Sequence, residues 1–131
     1  MKKIATLCCT LLLTASFTAP VLAANPVKTD MKAMSQSLRA ASQADDAAGM
    51  KAALTKLREY SVHAKGQIPP DFKDQPADGP ERKAYVEGLD TLIKQIDDTI
   101  GLLDAGKLDE AKAALDGMAK TKREYHKKLK V

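Results

Sequence analysis

Two side chains in this 131-residue chain carry the donor atoms of a soft or borderline transition-metal site, the thioether of Met31 and the imidazole of His126. Thioether and imidazole together suit copper(I) or iron. One lies near the start of the chain and the other near its end, so only the fold can bring them together. Other chemistries leave no trace. There is no Ser-His-Asp order, no glycine-rich phosphate loop and no zinc-ligand spacing. The acidic pair Asp97-Asp98 reads as a solvated face, without the Glu-x-x-His pairs of di-iron bundles. His63, beside Glu59 and Tyr60, reads as solvated, and Met34, Met50 and Met118 read as core packing.

The elements that must position Met31 and His126 are helices. Apolar residues recur every three or four positions, and no stretch alternates like a half-buried strand. Segment one shows Val27, Met31, Met34, Leu38 and Ala41, with Asn25 as cap and Pro26 at the first helical position. Segment two follows Asp45-Asp46, shows Met50, Leu54, Leu57, Ser61 and Ala64, and can end at Gly66. Segment three opens at Gly79-Pro80-Glu81, shows Tyr85, Leu89, Leu92, Ile96 and Leu103, and stops at Gly106. Segment four shows Leu108, Ala111, Leu115, Met118, Tyr125 and Leu129. The links within the first pair and the last pair are short, which makes those helices antiparallel neighbours. Residues 67–78 hold three prolines and read as a loop, since proline forbids a continuing helix. The expected fold is all-α, an antiparallel up-down-up-down four-helix bundle, in one domain over residues 24–131.

Residues 1–23 read as an address rather than as structure. Lys2-Lys3 precede a short apolar run from Ile4 to Ala15, and Val21-x-Ala23 fits a secretory cleavage site, so the mature chain is expected to start at Ala24. Both cysteines, Cys8 and Cys9, fall in that segment. Its removal takes disulfides, thiol catalysis, iron–sulfur clusters and thioether-linked haem off the list. It also removes Lys2 and Lys3, and no acidic residue precedes Asp30, so the formal charge of +4 falls to +2. So small an excess excludes a dedicated nucleic-acid binder. No run of about 18 purely apolar residues argues for a retained membrane span.

In that bundle the start of segment one, the end of two, the start of three and the end of four share one end, and the proline-rich loop closes it. Met31, Tyr85, Leu89 and His126 converge there. His126 lies three turns beyond Leu115 and faces nearly the same way. Methionine opposite histidine is a known axial pair for haem iron, and a porphyrin would supply the apolar surface that a core without tryptophan lacks. From spacing alone three readings stay open. They are a haem held between Met31 and His126, a copper(I) site on the same two donors, and a cofactor-free bundle in which the methionine is filler and the histidine a surface residue favoured by the helix dipole.

A resemblance bears on that choice. Ala44-Asp45-Asp46-Ala47-Ala48 with Lys51-Ala52-Ala53-Leu54-Thr55-Lys56-Leu57-Arg58 resembles the first hairpin of the soluble periplasmic cytochrome b562 family. So do Gln95-Ile96-Asp97-Asp98, Gly106-Lys107-Leu108-Asp109-Glu110-Ala111 and Arg123-Glu124-Tyr125-His126, with Pro69-Pro70 at the family's proline loop. The likeness covers the whole mature chain with essentially no gaps. It implies one non-covalent b-type haem per chain, ligated by Met31 and His126. It further implies electron carriage without substrate turnover, a periplasmic location, a monomer, and a redox partner protein whose identity stays open. Departures are Lys122 where well-known members have arginine one turn before the histidine, Lys130 followed by Val131 where arginine tends to close the chain near the propionates, and Tyr85 with Leu89 in place of aromatic residues on the third helix.

Overall fold

The computed structural model describes residues 25–131; the expected leader, Met1–Ala23, lies outside the described residues. The four helices are α1 (Pro26–Gln43), α2 (Ala47–Lys65), α3 (Pro80–Asp104) and α4 (Leu108–Leu129). Each starts where local chemistry allows it. The Asn25 side chain accepts the Lys28 N–H at 3.3 Å, and Asp46 accepts the Gly49 N–H at 2.7 Å, which satisfies donors left free in a first turn. Pro26 and Pro80 occupy first-turn positions, where no N–H is missed.

The terminations are equally local. Helix α3 ends in a Schellman turn, with Lys107 N–H on the Leu102 carbonyl at 2.9 Å and Gly106 N–H on Leu103 at 3.0 Å. That turn needs a left-handed residue, and Gly106 supplies φ 77°. Helix α2 stops at Gly66, and the loop beyond it contains one short 3-10 turn, Pro70–Phe72. Pro69 and Phe72 are buried, so the loop plugs the bundle end rather than trailing from it.

Short turns at 44–46 and 105–107 make α1/α2 and α3/α4 hairpins, and the loop returns the chain so that α3 packs on α2. This is the antiparallel four-helix bundle expected. Helices α1 and α4 meet least closely, leaving a seam between the first helix and the last. The core is densest toward the hairpin turns, where Ala41, Met50, Leu54, Ile96, Ala111 and Met118 have no exposed surface. Each fully buried large apolar side chain contributes roughly 1.5–3 kcal/mol. Bridges tie α3 to α2 across the surface, Arg58 reaching Asp97 through two bonds at 2.7 and 3.2 Å and Lys51 reaching Asp104 at 2.5 Å. Asp97 and Asp98 are solvated and ion-paired, as the acidic-face reading requires. Among the described residues no helix is long and apolar enough to cross a membrane.

A candidate haem cavity at the loop end

At the loop end the helices enclose a cavity of about 540 Å³, within the range of small-molecule sites. Its walls are Met31, Met34 and Leu38 from α1, Leu57 from α2, Tyr85, Leu89 and Leu92 from α3, and Met118, Tyr125, His126 and Leu129 from α4, under a roof of Pro69, Pro70 and Phe72. Met31 and His126 therefore line one apolar space, from the first helix and the last. Both are half-buried, as groups facing a cavity would be. The fully buried stripe of α1 is Val27, Asp30, Met34, Ser37 and Ala41. That corrects the expected stripe. Asp30 and Ser37 join it, while Met31 and Leu38 pack against the edge of the core and are only partly buried, one step round the helix where they line the cavity.

His126 occupies the last turn of α4. Burial, and next the nearby Lys122 ammonium, hold its imidazole below the usual histidine range. The neutral ring is the form that can donate a lone pair to a metal. What sets the ring's position is a close contact. Gly88 on α3 packs against Tyr125, and a Cβ at Gly88 would lie 2.7 Å from the tyrosine ring. Any side chain there would push the end of α4 outward and carry His126 with it. The chain then turns back on itself: Val131 N–H bonds the His126 carbonyl at 3.2 Å, Lys130 takes a left-handed φ of 58°, and Val131 joins the cavity rim.

The loop end also holds polar groups that sequence periodicity left aside. Asp30 is buried, and its Oδ2 accepts from His63 Nδ1 at 2.7 Å and from Gln67 Nε2 at 3.0 Å. An ionised carboxylate only accepts, so the imidazole is the donor. His63 is exposed, as expected, but it is not idle: with Gln67 it ties α1 to the end of α2, beside Met31. Tyr85 donates to the Ala64 carbonyl at 2.7 Å, and its ring meets Phe72 edge-on, with centroids 6.5 Å apart. Burial first and Asp30 second push its phenol up to about 12. A sequence signal for Asp30 did exist. With Ser37 it falls seven residues apart on the line of Val27, Met34 and Ala41, but acidic and hydroxyl residues are skipped when a stripe is traced through apolar positions only.

Among the described residues no group of three or more His, Cys, Asp or Glu could hold a metal ion. The soft and borderline donors on the cavity wall are the thioethers of Met31, Met34 and Met118 and the imidazole of His126, and so sparse a set suits a ligand that brings most of its own donors. The apolar walls suit a large flat ring, and the ammonium groups of Lys28 and Lys122 stand at the rim where carboxylates of such a ring could reach water. The cavity thus fits a haem.

Comparison with known proteins points the same way. The family model described as cytochrome b562 matches residues 26–130. The chain is 37% identical over 113 residues to a Yersinia pestis protein described as "Probable soluble cytochrome b562 2", covering 86% of this chain and 88% of that one. It is 30% identical over 101 residues to the same organism's "Probable soluble cytochrome b562 1", covering 77% and 80%.

Proposed function

The chain belongs to the cytochrome b562 family, and from that premise we propose that it is a periplasmic one-electron carrier, exported with loss of Met1–Ala23, which holds one b-type haem without covalent bonds through Met31 and His126. The family consists of electron carriers, not enzymes. The observation that carries the reading is that Met31 and His126, from the first and last helices, line the same apolar cavity of about 540 Å³.

When bound, the haem supplies an Fe(III)/Fe(II) couple. The protein's part is binding and tuning. His126 offers a neutral imidazole from a helix end fixed by the Gly88–Tyr125 contact. Met31 offers a soft, neutral sulfur, which favours the ferrous ion and so raises the potential. The apolar walls would limit the access of water to the bound group. Lys122, drawn across the seam to Ser35 Oγ at 2.8 Å, and Lys130 can balance propionates as point charges, though not with an arginine fork. Copper(I) on the same donors is disfavoured by the space itself, since a bare ion would leave most of the cavity empty.

Absorption spectra of the protein, oxidised and then reduced, test the reading. An intense Soret band is expected, and its absence after haem titration overturns the proposal. His126→Ala should abolish most haem binding while circular dichroism stays helical. Met31→Leu should keep the haem but lower the potential, about 59 mV for each tenfold loss of relative ferrous affinity. Met34→Leu is the matched control, because Met34 also lines the cavity. If Met34→Leu lowered the potential and Met31→Leu did not, the thioether ligand would be Met34.

A further inference from the structure

Charge in this bundle is sorted by face. The lysine and arginine bridges between helices all run from α3, through Asp104, Asp97 and Asp90 to Lys51, Arg58 and Lys65 on α2, and through Glu87 to Lys128 on α4, and the one other, His63 to Asp30, ties α2 to α1. The α1–α4 seam, which opens on the cavity, has no such partner. On α1 every exposed charge is a cation, Lys28, Lys32 and Arg39, and the helix's one acidic residue, Asp30, is buried against α2. At about 100° per residue these three cations share the side of α1 that carries Ser35, the residue Lys122 reaches from α4. On α4 the same construction turns Arg123 and Lys127 away from α3, onto the outer side of the α1–α4 face, since Tyr125 marks the side facing α3, and Lys130 follows just past the helix end. None of these six cations is in an ion pair among the described residues. The negative groups nearby are Asp71 and Val131 with its carboxylate, on the cavity rim, Glu124, which faces Lys120 at 3.8 Å, and, toward the hairpin end of the same side of α4, Asp116 and Asp109.

Carboxylates of a bound haem would engage the rim lysines, Lys28 and Lys122, with Lys130 beside the rim residue Val131. Lys32, Arg39, Arg123 and Lys127 are a surplus beyond that need. With a net charge of only +2 on the mature chain, a one-sided cluster does little for solubility but strongly orients encounters, because complementary charge steers docking and speeds association. We propose that the α1–α4 seam is the docking face for an acidic patch on a one-electron redox protein, held by Lys32, Arg39, Arg123 and Lys127; the inference rests on the electron-carrier reading above. One electron moves per encounter and no atom is transferred: the partner is reduced as the group in this chain is oxidised, and the reverse on recharging. A protein partner fits better than a lipid surface because the cations flank the cavity mouth on two sides, which places a docked redox centre over the shortest path out of the cavity.

The test compares two variants of equal net charge, K32Q/R39Q/R123Q/K127Q on the seam and K56Q/K73Q/K83Q/K94Q away from it, all at exposed positions. Reduced holo-protein is mixed with hexacyanoferrate(III) while ionic strength rises from about 10 mM to about 200 mM, which shrinks the screening length from roughly 30 Å to under 10 Å. For wild type and the distant variant the rate should fall at least tenfold. For the seam variant it should change less than threefold. Equal loss of salt dependence in both variants would reduce the effect to net charge and overturn the proposal. A second arm needs no haem, so its failure is separate from failure of the carrier reading. Polyglutamate titrated into the apo-protein should shift backbone amides at residues 28–39 and 122–130, and the seam variant should not respond. Sedimentation with phosphatidylglycerol vesicles through the same four residues, without any polyglutamate response, would make the face a lipid site and overturn the proposal as well.

Discussion

Two helices in this molecule end in the same turn, at opposite ends of the bundle, made by different residues. At the hairpin end α3 stops at Gly106 with φ 77°, and at the loop end α4 stops at Lys130 with φ 58°. The surroundings differ in the same sense. Near Gly106 the core is alanine, methionine, leucine and isoleucine, fully buried and close-packed. Near Lys130 the same kinds of side chain, Met31, Leu38 and Leu129, are only half-buried around a cavity, and the buried groups include a carboxylate and a phenol. The aromatic side chains that are buried, Phe72 and Tyr85, are also at that end. The chain spends what bulk it has at the loop end and still leaves about 540 Å³ unfilled. One end of the bundle specifies the fold. The other is shaped for a guest.

The largest effect should separate the two ends by ligand dependence. Leu54→Ala at the packed end removes a fully buried side chain and should cost about 3 kcal/mol, equally with and without haem. Leu89→Ala at the cavity wall should cost less in the apo-protein, about 2 kcal/mol, because its neighbours are already incomplete. With haem bound its cost should grow, since weaker binding also removes ligand stabilisation. Urea unfolding of both variants, apo and holo, measures all four values. Equal ligand dependence in the two variants would break the division between the ends.

The packed end was nearly all legible in the sequence, and the open end only in part. Ala41, Met50, Leu54, Ile96 and Ala111 follow from periodicity because a dry core is written in apolar residues at helical spacing. Met31 and His126 were legible as candidates because few residue types can ligate a metal, and up-down topology dictates which helix ends meet. The cavity itself was not, since a void is a property of helix separation and no residue marks it. Asp30, Gly88 and the Lys130 turn were missed for a related reason. A buried carboxylate needs His63 from α2 and Gln67 just beyond it, and Gly88 needs Tyr125 from α4. Each makes sense only once a second helix is in place.

A pH titration of apo-protein stability should sharpen the contrast, since His126 and Tyr85, both shifted by burial, sit at the open end. His126 resists protonation in the folded state. Below the ordinary value of 6.5 the unfolded chain therefore binds more protons, and stability falls as pH drops through 6.5 toward the lowered folded value, then levels off. Tyr85 resists deprotonation. The unfolded chain loses that proton from about pH 10 and the folded protein only near 12, so stability falls as pH climbs between them. Tyr85→Phe should remove the alkaline limb while costing about 1 kcal/mol at neutral pH for the bond to Ala64. An alkaline limb that survives in Tyr85→Phe would mean that another group controls it.

The smallest effect concerns the turn that opened the comparison. A left-handed lysine costs roughly 1 kcal/mol relative to glycine, because its Cβ crowds the following carbonyl. Gly106 avoids that cost and Lys130 bears it. The Schellman bonds recover part of the cost, by giving the His126 and Lys127 carbonyls their donors, at 3.2 and 3.4 Å. Lys130→Gly should stabilise the apo-protein by up to about 1 kcal/mol, read as a small rise in urea midpoint at unchanged slope. Fraying of the chain end would erase the gain, because no left-handed residue would then be held. Haem affinity should move the other way. The substitution deletes an ammonium beside the cavity mouth, so the variant should bind haem slightly more weakly while folding slightly better. Lys130→Ala separates the two terms, since it removes the ammonium but keeps the Cβ. A gain in stability from alanine as large as that from glycine would show that the turn carries no strain. The C-terminal turn would then be set by the cavity's contents rather than by the backbone.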